Sequence, residues 1–228
     1  MKLNDHEYNF LEYKEALKID KRSYFQYYLS LIRKKHLLVF AFYTYNDYNS
    51  KFIKTCLFFF SFSLTYTVNA FFFDDSTMHK IYEDFGKFNI IYQIPQIIYS
   101  ALICGVINTL ITSLSLSEKN ILDIKKEQRR INEKKKQVLK ALNFKFLFFF
   151  LFTFLLLIIF WYYISCFCTI YRNTQIHLIK NTLISFGFTL IYPFGLFLIP
   201  GIFRIPALRS KKSNKECIYK FSKILQLM

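Results

Sequence analysis

Four long stretches of this 228-residue chain contain no Asp, Glu, Lys or Arg, and they constrain its fold more than any other feature. They cover about 55–73, 94–116, 146–168 and 182–203. A bilayer core about 30 Å thick takes roughly 20 apolar residues of helix, and a charge at its centre costs about 2.5–3.5 kcal/mol. The sequence therefore predicts an all-α integral membrane protein with four transmembrane helices.

The Lys and Arg residues are distributed unevenly among the segments that these stretches separate. The segment before the first stretch holds 10, residues 117–145 hold 10, and the end from residue 204 holds 7. Residues 74–93 and 171–181 hold only 2 each. Because cytoplasmic segments carry the excess of Lys and Arg, we predict that both termini and the long middle connection are cytoplasmic.

The formal net charge of +16 favours an anionic partner. Basic proteins often bind nucleic acid, but here the basic stretches lie between apolar spans and no nucleic-acid motif accompanies them. The anionic lipid of the inner leaflet is therefore the expected partner, together with other membrane helices in a homo- or hetero-oligomer. The predicted localisation is a multi-pass position in the plasma or ciliary membrane.

Three segments lie outside the predicted spans. Residues 1–54 are predicted to be cytoplasmic or interfacial, with Asp20 capping an amphipathic helix from about Lys21 to Lys35. The basic connection 117–145 is predicted to be a helix, either a solvated extension of a neighbouring span or a short coiled coil. Residues 204–228 are predicted to be a basic cytoplasmic tail. The apolar face of the N-terminal helix would hold Phe25, Leu29 and Ile32.

Six small or polar residues in the first two spans are candidates for helix packing. Four of them follow each other at four-residue spacing on the second span, where small side chains let two helix backbones approach closely. Two amides, Asn69 and Asn108, need hydrogen-bond partners in lipid. Packing between helices is the favoured role for all six, and a pore lining is the alternative. The four at regular spacing are Ala101, Gly105, Thr109 and Ser113.

The connection after the first span carries a weak candidate for a metal site. On a helix, Asp75, His79 and Glu83 would share one face, and carboxylates with an imidazole can hold a divalent cation. The simpler interpretation is that Asp75 or Ser76 caps a short helix whose first turn favours acids. We favour capping, and we expect no metal ion and no cofactor.

No motif in the sequence indicates catalysis. The chain has no G-x-S-x-G, no H-E-x-x-H and no glycine-rich phosphate loop. Its predicted spans also lack the ionisable residues that a proton relay or a voltage sensor needs. Five cysteines show no zinc-finger spacing, and Cys217 is a candidate for palmitoylation because it lies among lysines in the predicted tail. The protein is therefore not expected to be an enzyme.

Three parts of the sequence carry a resemblance to a known group of proteins. They are residues 46–84, which include the run TYTVNAFFFDD, residues 91–110, and residues 161–208. Together they resemble the C-terminal membrane region of large surface proteins of ciliated protists. The layout is more distantly similar to membrane spans of the polycystin family. The resemblance implies a position in a surface membrane and transfers no functional residues.

These observations lead to two hypotheses about function. The leading one is a non-catalytic multi-pass module that anchors, or packs as a subunit of, a larger membrane or surface assembly. The alternative is a subunit or fragment of a polycystin-like cation channel.

Overall fold

The computed structural model describes residues 3–43, 48–87, 89–117, 121, 131–209 and 215–227, and it is helical throughout, with no strand in these ranges. The predicted all-α class is thus confirmed. The helices are α1 (Asp5–Phe10), α2 (Tyr13–Ile19), α3 (Tyr24–Lys35), α4 (Leu37–Phe42), α5 (Lys51–Phe71), α6 (Asp75–Glu83), α7 (Ile90–Ser115), α8 (Ile131–Ile170), α9 (Gln175–Leu196), α10 (Leu198–Arg209) and α11 (Glu216–Leu227).

Three helical stretches in the described ranges are long and apolar enough to cross a membrane. They are Ile90–Ser115, Lys136–Ile170 and Arg172–Arg209, the last of which combines α9 and α10. A fourth is reached when α5 and α6 count as one span, although their axes are bent by 81°. The structure thus contains three or four candidate spans, and the polar run Thr65, Thr67 and Asn69 lowers the hydropathy of α5.

The chain forms two compact units. The terminal unit comprises Met1–Asp47 and Leu190–Met228, and the central unit comprises Tyr48–Thr189. The terminal unit combines parts of the predicted N-terminal segment, fourth span and C-terminal tail. Of the predicted cytoplasmic helix 117–145, residues 118–120 and 122–130 lie outside the described residues, and residues 131–145 belong to α8.

In the terminal unit, the N-terminal segment forms four short helices, α1 to α4. The predicted cap was wrong: Ser23, and not Asp20, is the N-cap of α3, where its hydroxyl accepts from the Gln26 amide at 3.2 Å. The Gln26 side chain in turn accepts from the Ser23 backbone N–H at 2.8 Å, which completes a capping box. The predicted apolar face also differs, because Phe25 is exposed and the buried side chains of α3 are Tyr27, Ser30, Leu31 and Ile32.

Arg204 holds the two ends of the chain together within the terminal unit. Its guanidinium is completely buried and donates to the Asp20 carboxylate at 2.9 Å and to the Tyr8 carbonyl at 2.8 Å. The rings of Tyr27 and Tyr219 lie 5.0 and 4.8 Å from its Cζ. The predicted tail boundary at residue 204 therefore falls inside α10.

Asp20 also forms an ion pair with a second arginine, so we call this cluster the ionic core. Arg22 donates to both oxygens of the Asp20 carboxylate, at 2.8 and 2.9 Å. Burial alone would raise the pKa of Asp20, but the hydrogen bonds and charges of Arg22 and Arg204 outweigh it and hold that pKa below its ordinary value. Burial also raises the pKa of the Tyr27 phenol to about 12. The core thus contains a permanent ion pair and neutral phenols at physiological pH.

In the central unit, α5 is the inner helix. Most of its residues from Ile53 to Ala70 are buried, and it packs against α7 and α8. An apolar cluster joins its end to α8 and α9, and its members are Ala70, Phe73, Phe167 and Leu178. On α9, the Phe186 ring meets the Phe62 ring edge to face, with centroids 5.1 Å apart. This packing brings the polar residues of α5, α7 and α9 into contact.

Candidate functional site

A row of polar residues runs along the buried inner helix α5. Ser61, Thr65 and Asn69 follow each other at four-residue spacing, so they share one helix face, and each is at most 4% exposed. The Thr65 hydroxyl donates to the Ser61 carbonyl at 2.9 Å and is thereby satisfied within the helix. Ser61 and Asn69 are available to residues on neighbouring helices.

Asn108 forms a hydrogen bond with Ser61, the first residue of this row. Its Nδ2 donates to the Ser61 hydroxyl at 2.8 Å, which joins α7 to α5. Helix packing and a pore lining are the two roles that the sequence predicts for this amide. The direct bond between two helices fits the packing role.

Asn69 joins three helices at the other end of the row. Its Oδ1 accepts from the Ser185 hydroxyl of α9 at 3.4 Å, and its backbone carbonyl accepts from Gln96 Nε2 of α7 at 3.3 Å. The side chain is completely buried, but its Nδ2 has no hydrogen-bond partner among the described residues.

The first turns of α9 extend this polar region. His177, Asn181 and Ser185 lie one helical turn apart on a buried face, and Thr182 is buried beside them. Among the described residues, no partner is found for His177 Nδ1, for either polar atom of the Asn181 side chain or for the Thr182 hydroxyl. We call Asn69, His177, Asn181 and Thr182 the polar cluster.

Of these four residues, only Asn69 is predicted from the sequence as a packing residue. A signal for His177 and Asn181 is present in the sequence, because they and Ser185 follow the same four-residue spacing as the small residues of α7. His177 and Asn181, however, precede the predicted start of the fourth span at Thr182. In the structure the helix already begins at Gln175.

The predicted packing stripe on α7 lies away from the polar cluster. Gly105, Thr109 and Ser113 are exposed, and a side chain at Gly105 would meet no atom within 4 Å in the described part of the chain. The face of α7 that packs inside the unit instead contains Ile97, Ser100, Cys104 and Ile111. A role of the stripe in packing against another protein stays a prediction.

The metal candidates of the first connection are not brought into one site. Within the described ranges, no group of three His, Cys, Asp or Glu residues could hold a metal ion. His79 Nε2 lies 3.3 Å from a Glu83 oxygen, whereas Asp75 accepts from the Tyr171 hydroxyl at 3.2 Å. The predicted cap was one residue off, because Asp74 caps α6 by accepting from the Thr77 amide at 2.8 Å.

Two further features of the structure are unrelated to the polar cluster. An apolar cleft of about 340 Å³ lies among α5, α7 and α8, and its lining includes Leu64, Ile107 and Phe160. Cys217 is exposed on α11, and its palmitoylation stays a prediction.

Comparisons of the chain with protein-family models, with curated proteins and with solved structures found no match. The resemblance to ciliate surface proteins and to polycystin spans therefore stays a prediction.

Proposed function

We propose that this protein is a non-catalytic multi-pass membrane module that anchors, or packs as a subunit of, a larger membrane or surface assembly. The proposal includes cytoplasmic termini and a position in the plasma or ciliary membrane. The exposed apolar surface of its long helices supports it. In the most apolar 18-residue stretch of Lys136–Ile170, for example, only 11% of the residues are buried within the chain. Such a surface needs lipid or other helices around it.

The observation that carries the subunit role is the free face of α7. Its small residues at Ala101 and Gly105 leave a smooth surface that another helix backbone can approach. The hydroxyls of Thr109 and Ser113 donate to carbonyls of their own helix at 2.8 and 2.7 Å, so this face carries no unpaired donor. A face of this kind suits close van der Waals packing.

Association is tested by one substitution on that face and a control substitution beside it. In the full chain in lipid nanodiscs or cells, Gly105→Leu should reduce oligomerisation or co-purification with its partners by about tenfold, because a bulky side chain keeps the backbones apart. Val106→Leu is the matched control, since Val106 is 65% exposed and lies beside the stripe. Equal association of both variants would contradict the subunit role.

Orientation is tested with thiol labelling. A membrane-impermeant reagent should reach a cysteine introduced at Tyr82, which is 81% exposed, in intact cells. The native Cys217 should react only after permeabilisation, because the proposed orientation places it in the cytoplasm. Labelling is read peptide by peptide, since Cys166 is also exposed. Reaction of Cys217 in intact cells would overturn the topology.

The alternative function, a subunit of a polycystin-like cation channel, is decided by reconstitution. An anchor or packing subunit gives no conductance in planar bilayers. A reproducible cation current from the purified chain would favour the channel.

A further inference from the structure

The polar cluster concentrates unpaired hydrogen-bonding atoms in the interior of the central unit. Asn69 and Asn181 are completely buried, Thr182 is 1% exposed and His177 is 9% exposed. Within the described residues, five of their side-chain atoms lack a partner: Asn69 Nδ2, His177 Nδ1, Asn181 Nδ2 and Oδ1, and Thr182 Oγ1. Each unpaired buried polar group costs about 1–3 kcal/mol, so a fold that keeps five together needs a compensating interaction.

The contact between α5 and α9 places Asn69 beside the stretch of α9 that carries the other three residues. Asn69 accepts from Ser185, which lies one turn along α9 from Asn181. Ala70 and Leu178, the chain neighbours of Asn69 and His177, belong to the same apolar cluster. His177, Asn181 and Thr182 lie within about two turns of Ser185 on α9, so the cluster extends along these two turns from the contact with Asn69.

The chemistry of the cluster selects a class of ligand. None of the four side chains carries a charge when the imidazole is neutral, and the unpaired atoms include both donors and acceptors. A bound cation would meet the two amide NH2 groups, and a bound anion would meet the Asn181 carbonyl oxygen. A neutral molecule that both donates and accepts hydrogen bonds satisfies all of them.

We propose that the polar cluster is a buried binding site for a small neutral hydrogen-bonding molecule: water, or an organic amide or alcohol of similar size. A bound water makes about three hydrogen bonds to buried polar groups, which matches the surplus atoms here. The inference goes beyond the proposed function and is independent of it, because the chain's own helices bury the cluster.

Oxidation of buried histidines by hydroxyl radicals tests for bound water. Brief X-ray irradiation of the purified full chain in detergent produces radicals from water that is in contact with side chains. His177 should be oxidised about tenfold faster than His36, because the latter is 3% exposed and its ring contacts protein groups on both sides. His36 Nε2 lies 2.7 Å from the Leu190 carbonyl, and its Nδ1 accepts from the Val39 amide at 3.4 Å.

Two variants of the cluster separate a bound molecule from leakage of bulk solvent. Asn181→Leu and Thr182→Val replace unpaired polar atoms by methyl groups with the same branching, and each should slow the oxidation of His177 toward the His36 rate. Leu183→Val is the matched control, because that residue is exposed on the opposite side of α9. Thr182→Val, the smaller change, keeps the test open if Asn181→Leu fails to fold. An unchanged His177 rate in the folded variants, or a wild-type rate equal to that of His36, would overturn the proposal.

Thermal stability distinguishes water from an organic ligand. If acetamide raises the unfolding temperature of the wild type more than that of Thr182→Val, the site accepts an organic amide. If acetamide shifts both proteins equally while His177 oxidation follows the variants as predicted, water is the ligand. Neither outcome depends on membrane orientation or on association, so a failure of the proposed function would leave this result unaffected.

Discussion

The two units of this protein bury polar groups of different kinds, an ionic cluster in the terminal unit and neutral amides in the central unit. In the terminal unit, Arg204 and Asp20 are charged, and each finds several partners of fixed geometry. In the central unit, Asn69 and Asn181 are neutral amides with atoms that the described residues leave unpaired. A buried charge without partners is far more costly than a buried amide, so a neutral amide persists more readily with several atoms free for a ligand.

The largest effect that would sharpen this comparison is the loss of Arg204. Arg204 donates to the Asn9 carbonyl at 3.3 Å as well as to the Tyr8 carbonyl, so Arg204→Met leaves both carbonyls without their donor. The substitution should destabilise the terminal unit by about 3–5 kcal/mol. Arg209→Met, at an exposed position of the same helix, should change stability by less than about 0.5 kcal/mol. Hydrogen exchange of α3 and α10 amides in micelles measures both. Equal exchange in the two variants would mean that the ionic core does not hold the ends together.

The second effect concerns the pH dependence of the terminal unit. Burial lowers the pKa of Lys35, which donates to the Gln226 carbonyl, from its ordinary value of 10.5 to about 8. The unfolded chain therefore binds more protons than the folded chain between pH 8 and 10.5, and stability should rise with pH across that window. The gain due to this residue is about 3 kcal/mol. Denaturation of the wild type and of Lys35→Met across this pH range measures it, because the variant should lack the rise. An equal rise in both proteins would show that Lys35 is not its source.

Replacing one helix glycine in each unit by alanine should change the free energy of unfolding less, and with opposite signs in the two units. A Cβ at Gly201 would lie 2.7 Å from the Tyr24 ring, so Gly201→Ala should destabilise the terminal unit by about 1–3 kcal/mol. Gly105→Ala meets no atom within 4 Å among the described residues and should stabilise α7 by about 0.4–1 kcal/mol. Chemical denaturation of both variants measures the signs. A destabilising Gly105→Ala would show that the stripe is already packed against another helix.

The smallest predicted effect is the coupling energy of the hydrogen bond between Ser61 and Asn108. A double-mutant cycle with Ser61→Ala and Asn108→Leu should give a coupling energy of about 0.6 kcal/mol, as for other hydrogen bonds between membrane helices. The same cycle with Ser61→Ala and Thr182→Val should give none, because the Thr182 hydroxyl has no hydrogen-bond partner among the described residues. A coupling near zero for the first pair would remove Asn108 from the packing of α5 against α7.

Much of the architecture could be read from local sequence. The uncharged stretches predicted α7, α8 and the α9–α10 pair, because apolar content over about 20 residues is a local property. The amides Asn69 and Asn108 were also identified locally, since an amide in an apolar helix needs a partner. Caps were less certain: the predictions at Asp20 and Asp75 failed because Ser23 and Asp74, which are equally good capping residues, lie close by.

Where this chain is apolar enough for a membrane, and which of its segments are basic, can be read from the order of its residues. The meeting of Arg204 with Asp20 across 184 positions of the chain, and of Asn69 with Ser185 across 116, is visible only in the folded protein. Hydropathy and charge are sums over neighbouring residues and need no knowledge of the fold. The partner of a buried polar atom, by contrast, depends on how helices distant in sequence pack against each other.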